Sequence, residues 1–160
     1  MPCYLFTYHA YGSWLPDHRR GYVRRHKGIL APDSSLAAKY RVNMTTDVVT
    51  FGEKEQRLLI EETLIASGFQ KFRSHYLATD RTHFHALVSW SIERDWKTVR
   101  AKLRESLTRR LNRELHRQDW FSKSPSRKRV RDRRHFDYLV NVYLSKHSGL
   151  KWCEGLGIVR

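Results

Sequence analysis

Two apolar stretches flank Asp80-Arg81 in the run from Tyr76 to Trp90, and the second carries His83-Phe84-His85. A strand sends successive side chains to opposite faces, so two histidines one residue apart project from the same side. Residues 71 to 79 and 82 to 91 therefore read as an antiparallel hairpin turning at Asp80-Arg81, with a pair of imidazoles on one face of its second strand. Two neutral imidazoles on one rigid strand can share a divalent cation. No His-Glu-x-x-His accompanies them, which excludes the commonest helical zinc-hydrolase pattern.

Around this hairpin the chain alternates strand and helix. Residues 3 to 11, rich in aromatics, read as a first strand ended by Gly12. From Trp14 to about Thr50 no period is sustained, and the stretch reads as an extended loop with short helical pieces, of a length that usually serves function. Residues 52 to 67 place acidic groups in a first turn and Leu59, Ile60 and Leu64 on a stripe, with Gly68 as the stop. Residues 93 to 118 space Trp96, Val99, Leu103, Leu107, Leu111 and Leu115 by three and four, an amphipathic helix whose other face is basic.

After a polar connector a short fourth strand is expected near Arg127, then a last helix from about Arg133 toward His147, and beyond Gly149 a short tail. Phe136, Leu139, Val140, Tyr143, Leu144 and His147 share one face of that helix, the face expected against the sheet. The order strand, helix, strand, strand, helix, strand, helix predicts an α+β fold. It is a ferredoxin-like antiparallel sheet with helices on one face and an additional C-terminal helix carrying a tyrosine. At 160 residues the whole chain, 1 to 160, is expected to form one domain.

Charge narrows the partners. The chain has 31 Lys and Arg against 16 Asp and Glu, a net charge of +15, which favours a polyanion. Arg127, Lys128, Arg129, Arg131, Arg133 and Arg134 precede the last helix and read as a track for DNA phosphates. Trp120 and Phe121, just before, suit either stacking on unpaired bases or burial. Cys3 and Cys153 lack metal or redox spacing and read as reduced and structural. No run approaches the length of a membrane span and no signal segment opens the chain, so a cytoplasmic location is expected.

Tyr143 and His147 lie four residues apart. A tyrosine phenolate is a competent nucleophile toward phosphorus, and a histidine beside it would complete the coordination of a cation held by His83 and His85. Tyr138, with Asn141 as a helper, is the alternative nucleophile.

Together these residues resemble the HUH single-strand DNA transposases, the small single-tyrosine insertion-sequence type and their REP-associated relatives. The histidine, bulky hydrophobe, histidine motif is matched by His83-Phe84-His85. The opening Phe6-Thr-Tyr-His-Ala-Tyr-Gly-Ser-Trp-Leu-Pro16 and the later Tyr138-Leu-Val-Asn-Val-Tyr-Leu-Ser-Lys-His-Ser-Gly149 extend the likeness over most of the chain. The family's nucleophilic tyrosine is commonly followed four residues later by a polar ligand, the relation of Tyr143 to His147. The resemblance implies a DNA transposase and endonuclease that cleaves and rejoins single-stranded DNA near hairpins through a 5′-phosphotyrosine intermediate. Its metal would be Mg2+ or Mn2+, and it acts as a monomer or as a homodimer with the tyrosine supplied in trans. A rival reading is a non-catalytic ferredoxin-like nucleic-acid binding module, for which Tyr4, Phe6 and Tyr8 alternate on one strand face. A domesticated transposase that retains binding is the third.

Overall fold

The computed structural model describes residues 1–160 except Arg25, Ser124 and the side chain of Val23. Its centre is a six-stranded antiparallel sheet in an α+β arrangement. Strands β1 (Cys3–His9), β4 (Arg73–Thr79), β5 (His83–Ser89) and β6 (Ser126–Arg129) stand in the order β6-β1-β5-β4. Helix α2 (Glu53–Gln70) links β1 to β4 and helix α3 (Trp96–Glu114) links β5 to β6, so each crossover returns two places away with another strand filling the gap.

Alternation along the strands splits the sheet into two faces. Tyr4, Phe6 and Tyr8 of β1 and Phe84, Ala86 and Val88 of β5 bury against Leu59 and Ile60 of α2 and Val99, Leu103, Leu107 and Leu111 of α3. The intervening Leu5 and Leu87, with Tyr76 and Ala78, bury against Leu139 and Leu144 on the opposite face. Each fully buried side chain of this size is worth roughly 1.5–3 kcal/mol, so both faces have to be covered. The first helices share one face, as expected. The C-terminal helix takes the other, and with it the face that bears the histidines.

Burial settles the stacking candidates. Tyr4, Phe6 and Tyr8 are 8, 0 and 0% exposed, so they are core and offer no platform to a nucleic acid. Trp120 and Phe121 are likewise interior, and the indole N–H of Trp120 donates to Asn112 Oδ1 at 2.9 Å.

Several boundaries differ from expectation. The stretch 14 to 50 holds a small hairpin, β2 (Tyr22–Arg24) and β3 (Gly28–Leu30), and α1 (Ser34–Val42), capped where Asp33 accepts from the Leu36 N–H. Helix α2 continues through Gly68 and ends at Lys71, which takes the left-handed conformation (φ 53°) so that Phe72 turns into the core. The expected tail is a hairpin, β7 (Lys151–Cys153) and β8 (Gly157–Val159), that extends the sheet beyond β4. The last helix begins as α4 (Arg133–Tyr138), widens into a π-helical turn over Leu139–Tyr143 and tightens to a 3-10 turn over Leu144–Lys146. Among the described residues no helix is long and apolar enough to cross a membrane.

Candidate metal centre

The pairing of β1 with β5 sets Thr7 opposite His85 and His9 opposite His83 on the face covered by the C-terminal helix. Phe84 between them points into the other core and is fully buried, which fixes the strand's register and the direction of both imidazoles. The third ring arrives from the far end of the chain. His147 lies just past the 3-10 turn in an extended conformation (φ −68°, ψ 139°), so it is not the in-helix neighbour of Tyr143 that the spacing predicts.

A buried polar clamp holds His147 there. The N–H of Gly149 donates to the Thr79 carbonyl at 3.1 Å and the N–H of Thr79 to the Leu150 carbonyl at 3.0 Å. Gln56 Oε1 accepts from the Leu150 N–H at 3.0 Å, while its amide donates to the Phe51 carbonyl at 2.9 Å. A Cβ on Gly149 would stand 2.5 Å from the Thr79 carbonyl oxygen, so only glycine allows this close approach.

His83, His85 and His147 each offer a ring nitrogen, and these atoms all lie within 4.8 Å of one another. In every ring Nδ1 is occupied elsewhere. His85 Nδ1 is 2.7 Å from Thr7 Oγ1, His83 Nδ1 is 2.9 Å from Thr82 Oγ1, and His147 Nδ1–H donates to the Leu144 carbonyl at 3.2 Å. Outer partners of this kind orient a metal-binding imidazole and set its tautomer, leaving Nε2 for the ion. His85 Nε2 is buried with no hydrogen-bond partner among the described residues, a nitrogen that a cation would satisfy. Burial, then the charge of His147, pushes His83 down to about 4 and His85 to about 2. Both are therefore neutral near pH 7, the state that coordinates metal.

Tyr143 closes the cluster. Its ring centroid is 5.6 Å from His85 and 5.6 Å from His147 of the same chain. The π-helical turn sets it: the N–H of Leu144 donates to the Leu139 carbonyl five residues back, which rotates Tyr143 relative to a continuous α-helix. Its phenol is raised above the usual value by burial and by Tyr138, with Arg20 opposing the shift. The Lys128 ammonium stands 5.9 Å over the ring. Tyr138 is 52% exposed.

The basic run divides among several surfaces. On β6, Lys128 pairs with Leu5 and faces Tyr143, whereas Arg127 and Arg129 pair with Phe6 and Tyr4 and face α3. Arg127 lies 4.0 Å over the Trp96 ring. Arg131 and Arg133 line a cavity of about 560 Å³ with Cys3, His75, Ser89 and Glu154, at the strand ends remote from His83. Arg133 pairs with Asp137 at 2.9 Å, and Arg134 is exposed on α4. Cys3 and Cys153 are free thiols, and burial raises Cys3 to about 11.

Sequence reasoning missed Thr7, Thr82 and Gln56. Only strand register reveals Thr7, and only the folded path of residues 147 to 150 gives Gln56 a role. No protein-family model matches the chain, and neither does any curated protein. Among solved structures, a REP-associated tyrosine transposase bound to a REP hairpin is similar at 8% identity with a TM-score of 0.49. The likeness covers 87% of this chain, which spans 62% of the length of that one.

Proposed function

We propose that this chain is an HUH-type single-strand DNA endonuclease and strand transferase, acting as one ferredoxin-like domain. The observation that carries the reading is convergence. Three imidazoles, each oriented through Nδ1, meet the ring of one tyrosine on a protein of net charge +15.

His83, His85 and His147 would hold one divalent cation, which when bound supplies positive charge at a non-bridging phosphate oxygen. An all-imidazole donor set suits Mn2+ better than Mg2+, whose preference is for oxygen. The chain's own residues do the rest. Tyr143 Oη attacks phosphorus, forming the P–O(Tyr) bond as the P–O3′ bond breaks. The phenol loses its proton and the departing 3′ oxygen gains one, leaving a 5′-phosphotyrosine and a free 3′-hydroxyl. No ATP enters, because one phosphodiester is exchanged for another, and a 3′-hydroxyl from a second strand reverses the step to rejoin DNA. Lys128, which stands over the Tyr143 ring, and Arg20, whose charge acts on its phenol, would steady the phosphate charge. Packing of Tyr143 on its own chain's histidines favours a site completed in cis, without a homodimer partner.

The test is incubation with hairpin oligonucleotides bearing single-stranded flanks and Mn2+, followed by a denaturing gel. Wild type and Tyr138→Phe form a protein-DNA adduct, and Tyr143→Phe does not. An adduct that survives both substitutions removes the nucleophile from this helix, and absence of any adduct from wild type removes the endonuclease reading.

A further inference from the structure

Of the segment from Gly12 to Gly21 only Arg20 enters the chemistry above, yet the whole folds beside the histidines as an over-determined loop. The N–H of His18 donates to the Leu15 carbonyl at 3.0 Å, that of Gly21 to the His18 carbonyl at 2.7 Å, and that of Asp33 to the Pro16 carbonyl at 2.8 Å. Asp17 is bridged by Arg41 at 2.6 Å. Gly21 has φ +78° and sits where a Cβ would lie 2.0 Å from the Leu30 carbonyl oxygen, so the turn accepts little else.

This framework displays Trp14. Its indole N–H donates to the Gly21 carbonyl at 3.1 Å, and the His18 ring stacks on it at 3.8 Å with 15° between the planes. The indole nonetheless remains 42% exposed. An indole whose N–H is satisfied, whose one face is covered and whose position is fixed loses little entropy when a second flat ring lands on it. Trp14 also belongs to a chain of rings leading to the metal cluster. It meets His9 at 6.0 Å, and His9 meets His83 at 6.1 Å. Arg20, from the same loop, acts on Tyr143.

Resting on the proposed function, we infer that Trp14 is a stacking platform for an unpaired nucleobase of the strand whose phosphate lies at His83, His85 and Tyr143. Stacking on an indole is tolerant of base identity, so the platform selects single-stranded over paired DNA rather than one sequence. It orders the flank of the cleaved phosphate, with Arg20 and Lys128 placed for the adjoining charges.

The probe is a fluorescently labelled oligothymidylate, its binding followed by anisotropy in EDTA so that no chemistry intervenes. Trp14→Ala weakens binding by about tenfold, within the range for loss of one base-aromatic stack. Trp14→Phe keeps most of the affinity, and both variants bind Mn2+ as wild type does. An iododeoxyuridine tail irradiated on the wild-type protein cross-links at Trp14. Equal binding by Trp14→Ala, cross-links confined to other residues, or no binding by wild type each overturns the platform. Should Trp14→Ala fail to fold, the Phe variant and the cross-link decide. An adduct assay that fails while these results hold removes the chemistry and leaves the platform, and the converse removes the platform alone.

Discussion

Thr7 Oγ1 lies 2.7 Å from Nδ1 of His85, across the pairing of β1 with β5, and among the described residues no hydrogen-bond partner meets the opposite nitrogen of that ring. A strand-to-strand contact in the sheet thus fixes which imidazole edge faces the cluster. Thr7→Val keeps the shape and removes the hydroxyl. Mn2+ affinity measured by calorimetry is expected to fall on the order of tenfold, the usual cost of losing an outer partner. Thr7→Ser restores it, and an unchanged Thr7→Val affinity would mean that the contact does not orient the ring.

The buried histidines make the metal-free chain sensitive to acid. Their folded values, about 4 for His83 and about 2 for His85, lie below the ordinary 6.5 because burial disfavours the charged ring. The unfolded chain therefore takes up protons first. Stability is full above pH 6.5 and falls as the pH drops toward 4, with a slope near 1.4 kcal/mol per pH unit for each such histidine at most. His9 and His75, also lowered by burial, act in the same direction. Urea unfolding between pH 7 and 5, where few carboxylates titrate, checks this. The slope shrinks in His85→Leu, and a flat profile in the wild type would contradict the burial of these rings.

Two glycines respond oppositely to the same substitution. Gly149→Ala forces a Cβ against the Thr79 carbonyl and Gln56, so it is expected to destabilise by roughly 1–3 kcal/mol and to lower Mn2+ affinity by displacing His147. Gly68→Ala meets nothing within 4 Å in the interior of α2, where alanine is the better helix former, and is expected to stabilise by about 0.5–1 kcal/mol. Thermal melts of both variants test the pair.

Within the basic run, position on the strand decides consequence. Lys128 faces Tyr143, and its change to Ala is expected to slow adduct formation and to reduce the salt dependence of DNA binding by about one phosphate contact. Arg134→Ala, on the exposed side of α4, leaves the adduct rate unchanged. Equal effects from the two would argue for a diffuse field in place of a local contact.

Legibility followed the range of the interactions. Strand β5 and helix α3 announce themselves because their periods are local: Phe84, Ala86 and Val88 alternate, and Val99, Leu103, Leu107 and Leu111 recur by turns. The candidate residues His83, His85, Tyr143 and His147 were readable by type and spacing. The path that joins them was not, since His147 leaves the helix and is held by Gln56 and Thr79, contacts remote in sequence. The short strands β2, β3, β7 and β8 carry too few residues to show a period and exist through their partners. Arg127, Lys128 and Arg129 read as one patch only until they are known to form a strand, whose pleat sends Lys128 to the side opposite its neighbours.

The most direct measurement is pulsed electron paramagnetic resonance of the protein loaded with one equivalent of Mn2+. The account expects nitrogen hyperfine couplings from three imidazoles, reduced by one in each of His83→Ala, His85→Ala and His147→Ala and unchanged in Tyr143→Phe. A spectrum of fully hydrated Mn2+ without histidine coupling, or couplings indifferent to these substitutions, would contradict it.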